Sequence, residues 1–317
     1  MDLSDPKSSE PICAEPAKSN TCAIIVAFFP DARFGERLDR ISNQVAKTVV
    51  IDNTGDADPS APSWSMDRHD IEVIRNQENT GVGEGLNQGL SRAAQLGYEW
   101  VITFDQDSWV DPELAKTLFA IYGQQPSREL VGIIGCNFED ENVHAPALQS
   151  PPDGPLFLET TTVITSGSLL CVATFTKVGP FRADFFIDFI DHEYCLRLLR
   201  LGYRVVISTA PLMVHALGTA VAFSLNSSLG RLSVVLTNRT PLRRYYMTRN
   251  ALFVAKSYFT VAPWWVLRSL ASVLGFALVK IPLEKNARMR KFCATLYGVL
   301  DALRSTTGKP QAAWLKE

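Results

Sequence analysis

"IEVIRNQENTGVGEGLNQGLSRAAQLGYEWVITFDQDS", residues 71–108, runs from a short apolar strand through a glycine-rich turn into a helical stretch ending near Gly97. A second strand, "WVITF", then delivers two aspartates, Asp105 and Asp107. Strand, helix and strand in that order form a β-α-β unit. A similar unit precedes it: "TCAIIVAFFP" at 21–30 is a continuous apolar run closed by Pro30, "RFGERLDRISNQVA" has helical spacing, and "KTVVIDNTGD" at 47–56 runs from "TVVI" into Asp52 and Asn53. Continuous rather than alternating apolar runs suit strands buried on both faces. The expected fold is α/β, a doubly wound, mostly parallel sheet with flanking helices.

Ligands of such sheets bind beyond the carboxyl ends of the strands. Polar residues gather there: Asp52 and Asn53 after one strand, Asn76 and Asn79 after the next, Asp105 and Asp107 after a third. Two carboxylates at i and i+2 on an extended segment point the same way and can share one hard cation, Mg²⁺ or Mn²⁺, with phosphate oxygens completing its shell. An isolated Asp-x-Asp is common on solvated loops; its place beside two other polar strand ends sets this one apart. A nucleoside diphosphate there would point its base and ribose toward Asp52 and its phosphates toward the metal. The glycines of "NTGVGEGLNQG" (Gly81, Gly83, Gly85, Gly89) fit neither GxGxxG nor GxxxxGK[ST]. They read as a helix N-terminus where backbone N–H groups and Asn79 or Asn87 meet a nucleotide, or equally as a plain capping turn.

A third cluster, "FIDFIDHEYCLRLLRLGY", carries Asp188, Asp191 and Glu193 at the start of a short amphipathic helix. A carboxylate at a helix N-terminus is held as the anion and suits a general base; the bland alternative is dipole complementarity plus a Glu193 to Arg197 pair at i, i+4. His215, in "PLMVHALG", is either structural or a third metal ligand. From 241 to 304 the chain turns to "RRYYMTRNALFVAKSYF", "PWWVLRSLASVLGFALVK" and the cationic "KNARMRKF". That pattern fits helices lying in a membrane interface, or a helical hairpin packed on the core with a solvated basic face.

The chain of 317 residues is long for one domain, so a catalytic domain at 21–240, a C-terminal helical, membrane-interfacial segment at 241–317 and a loose N-terminal tail at 1–20 are expected. A net charge of -2 gives no global drive toward nucleic acid. The six cysteines, without a CxxC pair and several within apolar runs, read as reduced core residues and point to a cytosolic compartment. The polar start lacks the basic and apolar regions of a signal peptide, and no uncharged apolar stretch is long enough to demand a transmembrane helix. Oligomeric state stays open, a homo-oligomer included.

Together "VVIDNTGD", "NTGVGEGLNQGL", "GYEWVITFDQDS", "TSGSLL", "FRADFFIDFIDHEYCLRLLRLGYRV", "VHALG" and "YYMTRN" resemble glycosyltransferase family 2, inverting enzymes of the Rossmann-like GT-A fold, and more narrowly its bacterial rhamnosyltransferase branch. The resemblance covers roughly residues 21 to 255. It implies that Asp105 and Asp107 form the DxD metal and nucleotide-sugar motif, with His215 as the later metal-associated histidine. Asp52, Asn79, Gly81 and Asn87 would line the nucleotide pocket, and Arg249 would touch the diphosphate. Asp191 takes the place of the family's catalytic aspartate, although Ile190 stands where the family has Glu, which leaves Asp188 as the other candidate base; Asp188 and Glu193 lie on the acceptor side. The QxxRW motif of processive members is absent, implying single addition. The implied donor is dTDP-L-rhamnose, and the acceptor a lipid-linked or growing cell-surface glycan at the cytoplasmic face of a bacterial membrane, as in O-antigen or other envelope polysaccharide synthesis. Competing readings are a non-catalytic membrane-associated scaffold, a DxD phosphohydrolase, whose motif would normally follow the first strand, and a sugar-phosphate nucleotidyltransferase, whose Gly-rich, Arg-containing N-terminal loop is missing.

Overall fold

The computed structural model describes residues 13–55, 68–141, 144–151, 153–215, 220–227, 230–237, 239–283 and 287–315. Strands β1 (Thr21–Ala27), β2 (Lys47–Asp52), β3 (Ile71–Arg75) and β4 (Trp100–Asp105) form a parallel half-sheet in the order β3-β2-β1-β4. The apolar runs of β1, β2 and β4 are buried almost throughout, as continuous patterns require. Helix α1 (Phe34–Ser42) buries Phe34, Leu38 and Ile41 in the core on one face of the sheet, and α2 (Val82–Gln95) buries Leu86, Leu90 and Ala93 in the core on the other.

The glycines of α2 serve close packing. A Cβ on Gly89 would stand 2.4 Å from Ile24 Cγ2, and one on Gly85 would stand 3.0 Å from Val26 Cγ1. The helix therefore rests directly on β1. Gly89→Ala should lower stability by about 1–3 kcal/mol through overpacking, read as a lower urea midpoint with an unchanged slope.

Beyond β4 the sheet changes character. After β5 (Trp109–Val110) and α3 (Leu114–Gly123) come β6 (Val131–Asp140), β7 (Ala145–Pro146), β8 (Phe157–Glu159) and β9 (Ser168–Cys171). Helices α4 (Val172–Val178) and α5 (Ile190–Arg200) then lead to β10 (Arg204–His215). The order continues β4-β9-β6-β10-β5, with β9 antiparallel to both neighbours, β6 parallel to β10, and β5 antiparallel to β10. A separate antiparallel hairpin, β11 (Ala220–Ser227) and β12 (Gly230–Thr237), follows.

The C-terminal helices are α6 (Pro241–Tyr258), α7 (Pro263–Gly275), α8 (Ile281–Leu283) and α9 (Arg288–Leu303), with a π-helical turn at Phe276–Lys280 joining α7 to α8. Helix α9 lies close on α6: a Cβ on Gly298 would meet the Tyr245 carbonyl at 2.7 Å, and the Tyr245 hydroxyl donates to buried Asp301 at 2.6 Å. Val254 and Tyr258 of α6 join the core cluster that contains α5. Among the described residues no helix is long and apolar enough to cross a membrane.

Two expectations need correction. The N-terminal segment is packed from Cys13 onward: Trp100 Nε1 donates to the Ala14 carbonyl at 2.8 Å, and Ala14 N donates to Glu99 Oε2 at 2.8 Å; residues 1–12 lie outside the described residues. Nor are all six cysteines reduced, because Cys13 and Cys171 form a disulfide across 158 residues of chain. Pairing at that separation leaves no trace in local spacing, and with a disulfide present cysteine usage no longer argues for a reducing compartment. Cys22, Cys136 and Cys195 do fit the expectation as free, buried thiols, each pushed by burial up to about 12.

Candidate active site

A cleft of about 740 Å³ opens where the strands end, bounded by the tips of β1, β2 and β4, the segment from Phe186 to His192, and helices α6 and α7. At its floor stand Asp105, Asp107 and His215. Strand pairing brings them together: Trp109 of β5 lies opposite Val214 of β10, so the residues flanking that pair converge from more than a hundred positions apart. His215 Nε2 is 3.8 Å from Asp105 Oδ2, and its Nδ1 is 3.5 Å from Asp107 Oδ1. One ligand atom from each of the three lies within 4.8 Å of the others.

The surroundings hold this cluster in place. Asp105 N donates to Ser166 Oγ at 3.1 Å, the Ser166 and Ser108 hydroxyls are 2.7 Å apart, and Ser108 Oγ is 3.4 Å from His215 Nδ1. Burial pushes the Asp105 carboxyl up to about 6; His215 and Arg243 pull it down, while Asp107 and Asp191 push it further up. Two carboxylates that repel each other beside an imidazole make a donor set that fits a divalent cation, and the half-exposed Asp107 leaves the cleft side open.

The carboxylates of the third cluster part company. Asp191 sits in the first turn of α5, favourable for an anion, lines the cleft, and accepts a hydrogen bond from His192 N at 2.8 Å. Its single neighbour within ion-pair range among the described residues is His192 Nδ1, at 3.8 Å. Asp188 is gripped by Arg243, with contacts of 2.6 and 3.2 Å, and by Arg239 at 3.6 Å. Both aspartates line the cleft, but Asp188 is neutralised by two arginines and serves as an anchor, whereas Asp191 has no arginine among its ion-pair neighbours in the described residues.

Several expected site residues point elsewhere. Glu193, 3% exposed, accepts from Arg197 at 2.9 Å and from the Tyr258 hydroxyl at 2.5 Å, so it ties α5 to α6 and does not reach an acceptor. Arg249, fully buried, donates to the carbonyls of Gly308 (2.6 Å) and Asp184 (3.0 Å) and to the Tyr245 hydroxyl (3.2 Å), which leaves it turned away from any diphosphate. Asn87 binds the backbone of Phe181 through both ends of its amide, at 3.0 and 2.9 Å. Asp52 is buried, accepts from Thr54 N and Arg75, and is not a lining residue; its neighbour Asn53 is. Asn79 and Gly81 do line the cleft, with Asn79 Oδ1 accepting from Gly81 N at 2.9 Å. Gly81 has φ +89°, and a Cβ there would strike the Phe186 carbonyl at 2.6 Å.

Sequence reasoning missed the far wall. Arg239, Arg243 and, on α7, Trp265, Arg268, Ser269 and Ser272 all face the cleft. Trp265 packs edge-on against His192 at 5.0 Å, beside Asp191. Arg243 did carry a signal: Thr240 caps α6 and Pro241 opens it, so an arginine in this first turn runs against the helix dipole and needs an anionic partner. Helix α7 turns its polar stripe to the cleft while Trp264 is 82% exposed and Leu274 60%.

Residues 22–176 match the family described as Glycosyl transferase family 2. Over 306 residues, 92% of this chain and 97% of the relative, the sequence is 26% identical to the dTDP-rhamnosyl transferase RfbF of Shigella flexneri. Of solved structures, GalNAc-T7 with UDP, GalNAc and Mn²⁺ superposes with a TM-score of 0.51 at 12% identity, covering 64% of this chain and 44% of that one. S. aureus TarS superposes with a TM-score of 0.46 at 14% identity, covering 82% of this chain and 45% of that one. The chain thus spans less than half the length of both solved structures, and the likeness to GalNAc-T7 is one of fold.

Proposed function

This chain belongs to glycosyltransferase family 2, and from that premise we propose that it is an inverting, metal-dependent transferase moving L-rhamnose from dTDP-L-rhamnose to a lipid-linked or cell-surface glycan. The observation that carries the reading is a single cleft with a divalent-cation donor set at one side, Asp105, Asp107 and His215, and a cleft-facing carboxylate, Asp191, at the other. The dTDP-rhamnosyl relative, matched over nearly its whole length, supports the donor.

In this reading the nucleotide lies over Asn53, Asn79 and Gly81 with its diphosphate directed at the Asp105–Asp107–His215 cluster. When bound, a divalent cation there would offset the charge of the departing diphosphate. Arg243, which lines the cleft and adds its positive charge to the field at Asp105 and Asp107, shares that task. Asp191 accepts the proton of an acceptor hydroxyl as the oxygen attacks the sugar carbon on the face opposite the leaving group. Attack and departure on opposite faces invert the anomeric centre, through an oxocarbenium-like transition state. Trp265, Arg268, Ser269 and Ser272 form the acceptor wall. The exposed apolar residues of α7 would meet a membrane surface, placing the enzyme peripherally on the inner face of the cytoplasmic membrane.

Calorimetric titration with dTDP, UDP and GDP, each with Mn²⁺ and with chelator, tests this. The expected result is metal-dependent preference for dTDP, weakened about tenfold or more (about 1.4 kcal/mol) by chelation and by Asp107→Ala. Folded protein that binds none of the three under any metal condition would rule the reading out.

A further inference from the structure

We propose that Asn250 is a positioning residue for Asp191, an inference that rests on the transferase reading of the cleft. The segment leading to Asp191 has an unusual backbone. Phe186, Asp188 and Phe189 adopt φ of +66°, +64° and +67°, a left-handed region that residues other than glycine seldom occupy. Such conformations persist where their surroundings over-determine them.

Asn250 supplies that constraint. Its Nδ2 lies 3.1, 3.0 and 2.9 Å from the carbonyl oxygens of Phe185, Ile187 and Asp188, so one amide group gathers three acceptors from four consecutive residues. Its Oδ1 accepts from Arg249 Nε at 3.0 Å, which turns the NH₂ toward the segment. Arg249 adds a bond to the Asp184 carbonyl. On the other side of Asp191, Glu193 N donates to the Phe189 carbonyl at 3.0 Å, and the Glu193 carboxylate is held by Tyr258. Asn250 and Tyr258, about two turns apart on α6, thus hold the chain before and after the base.

Asn250 itself is fully buried and does not line the cleft, so any effect it has on chemistry passes through the segment it holds. The Phe186 carbonyl is separately engaged by Val82 N at 2.8 Å, on the nucleotide side. Loosening the Asn250 contacts therefore frees the Asp191 end more than the nucleotide end.

The test is a double-mutant cycle in the full chain. Hydrolytic release of nucleoside diphosphate from dTDP-L-rhamnose, UDP-glucose and GDP-mannose with Mn²⁺, in which water takes the sugar in place of the acceptor hydroxyl and gives its proton to Asp191, is measured for the wild type, Asn250→Ala, Asp191→Asn and the double variant, beside the Kd for dTDP. The expected result is a loss of about 10–100-fold in kcat for Asn250→Ala with dTDP affinity unchanged within about twofold, and no further loss when Asp191 is already Asn. If Asn250→Ala is not recovered folded, Asn250→Ser, which keeps one hydroxyl donor, carries the same comparison with a smaller loss. Multiplicative losses in the double variant, an unchanged kcat, or a Kd that rises as much as kcat falls would overturn the positioning role. A wild type that releases nothing from any of the three donors would instead remove the transferase reading, and this inference with it.

Discussion

Asp191→Asn should lower turnover by about 10²–10⁴-fold, the span associated with loss of a general base, while leaving the affinity for dTDP unchanged within about twofold. The substitution keeps the volume and the hydrogen bond accepted from His192 N, and removes the negative charge and with it the capacity to take a proton. Asp188→Asn is the contrasting variant. It breaks the contacts with Arg243 and Arg239, so its main effect should fall on thermal stability. Initial-rate kinetics beside a melting curve separate the two: an unaltered rate in Asp191→Asn, or a greater rate loss in Asp188→Asn, would move the base to Asp188.

Arg249→Ala should destabilise the fold by about 3–5 kcal/mol, read as a large fall in the urea midpoint. The side chain is fully buried, and its removal takes the guanidinium donor from the Gly308 carbonyl and from the oxygen of Asn250, while the Asp184 carbonyl keeps its second donor, Gly308 N at 2.9 Å. It also empties space beside Tyr245 and Tyr246, whose rings lie 5.2 and 5.0 Å from the guanidinium. A residue that merely touched a diphosphate would leave the midpoint in place and raise the Kd for dTDP. The opposite pattern is expected here, and a stable variant with weakened dTDP binding would restore the ligand contact.

Much of the parallel half-sheet was legible because its signals are local. Continuous apolar runs at 21–27, 47–52 and 100–105 are buried strands, and the Asp-x-Asp pair falls where the third of them ends. The glycine spacing of α2 was legible as departing from the phosphate-loop patterns, but its cause, the closeness of Ile24 and Val26, was not. For Glu193 the acidic cluster, and for Arg249 the family resemblance, suggested a site, and burial decided otherwise, since a charged side chain looks the same in sequence whether it faces a ligand or a carbonyl. Asn250 closes the "YYMTRN" segment, but nothing in that segment pointed to its role: its partners lie 62 to 65 positions away and are backbone atoms.

The amino-acid sequence by itself determined the α/β class, the strand ends that carry polar groups and the candidacy of Asp105, Asp107, Asp191 and His215, because periodicity and residue chemistry act over a few neighbouring positions. Only the tertiary structure decided which candidates meet. The antiparallel pairing of β5 with β10 sets His215 against the two aspartates, and α6 pairs Asp188 with Arg243 while Asp191, lining the same cleft, is left without an arginine partner among the described residues. Those choices depend on contacts between segments far apart in the chain, where register, close approach and burial select among residues that local pattern leaves equivalent.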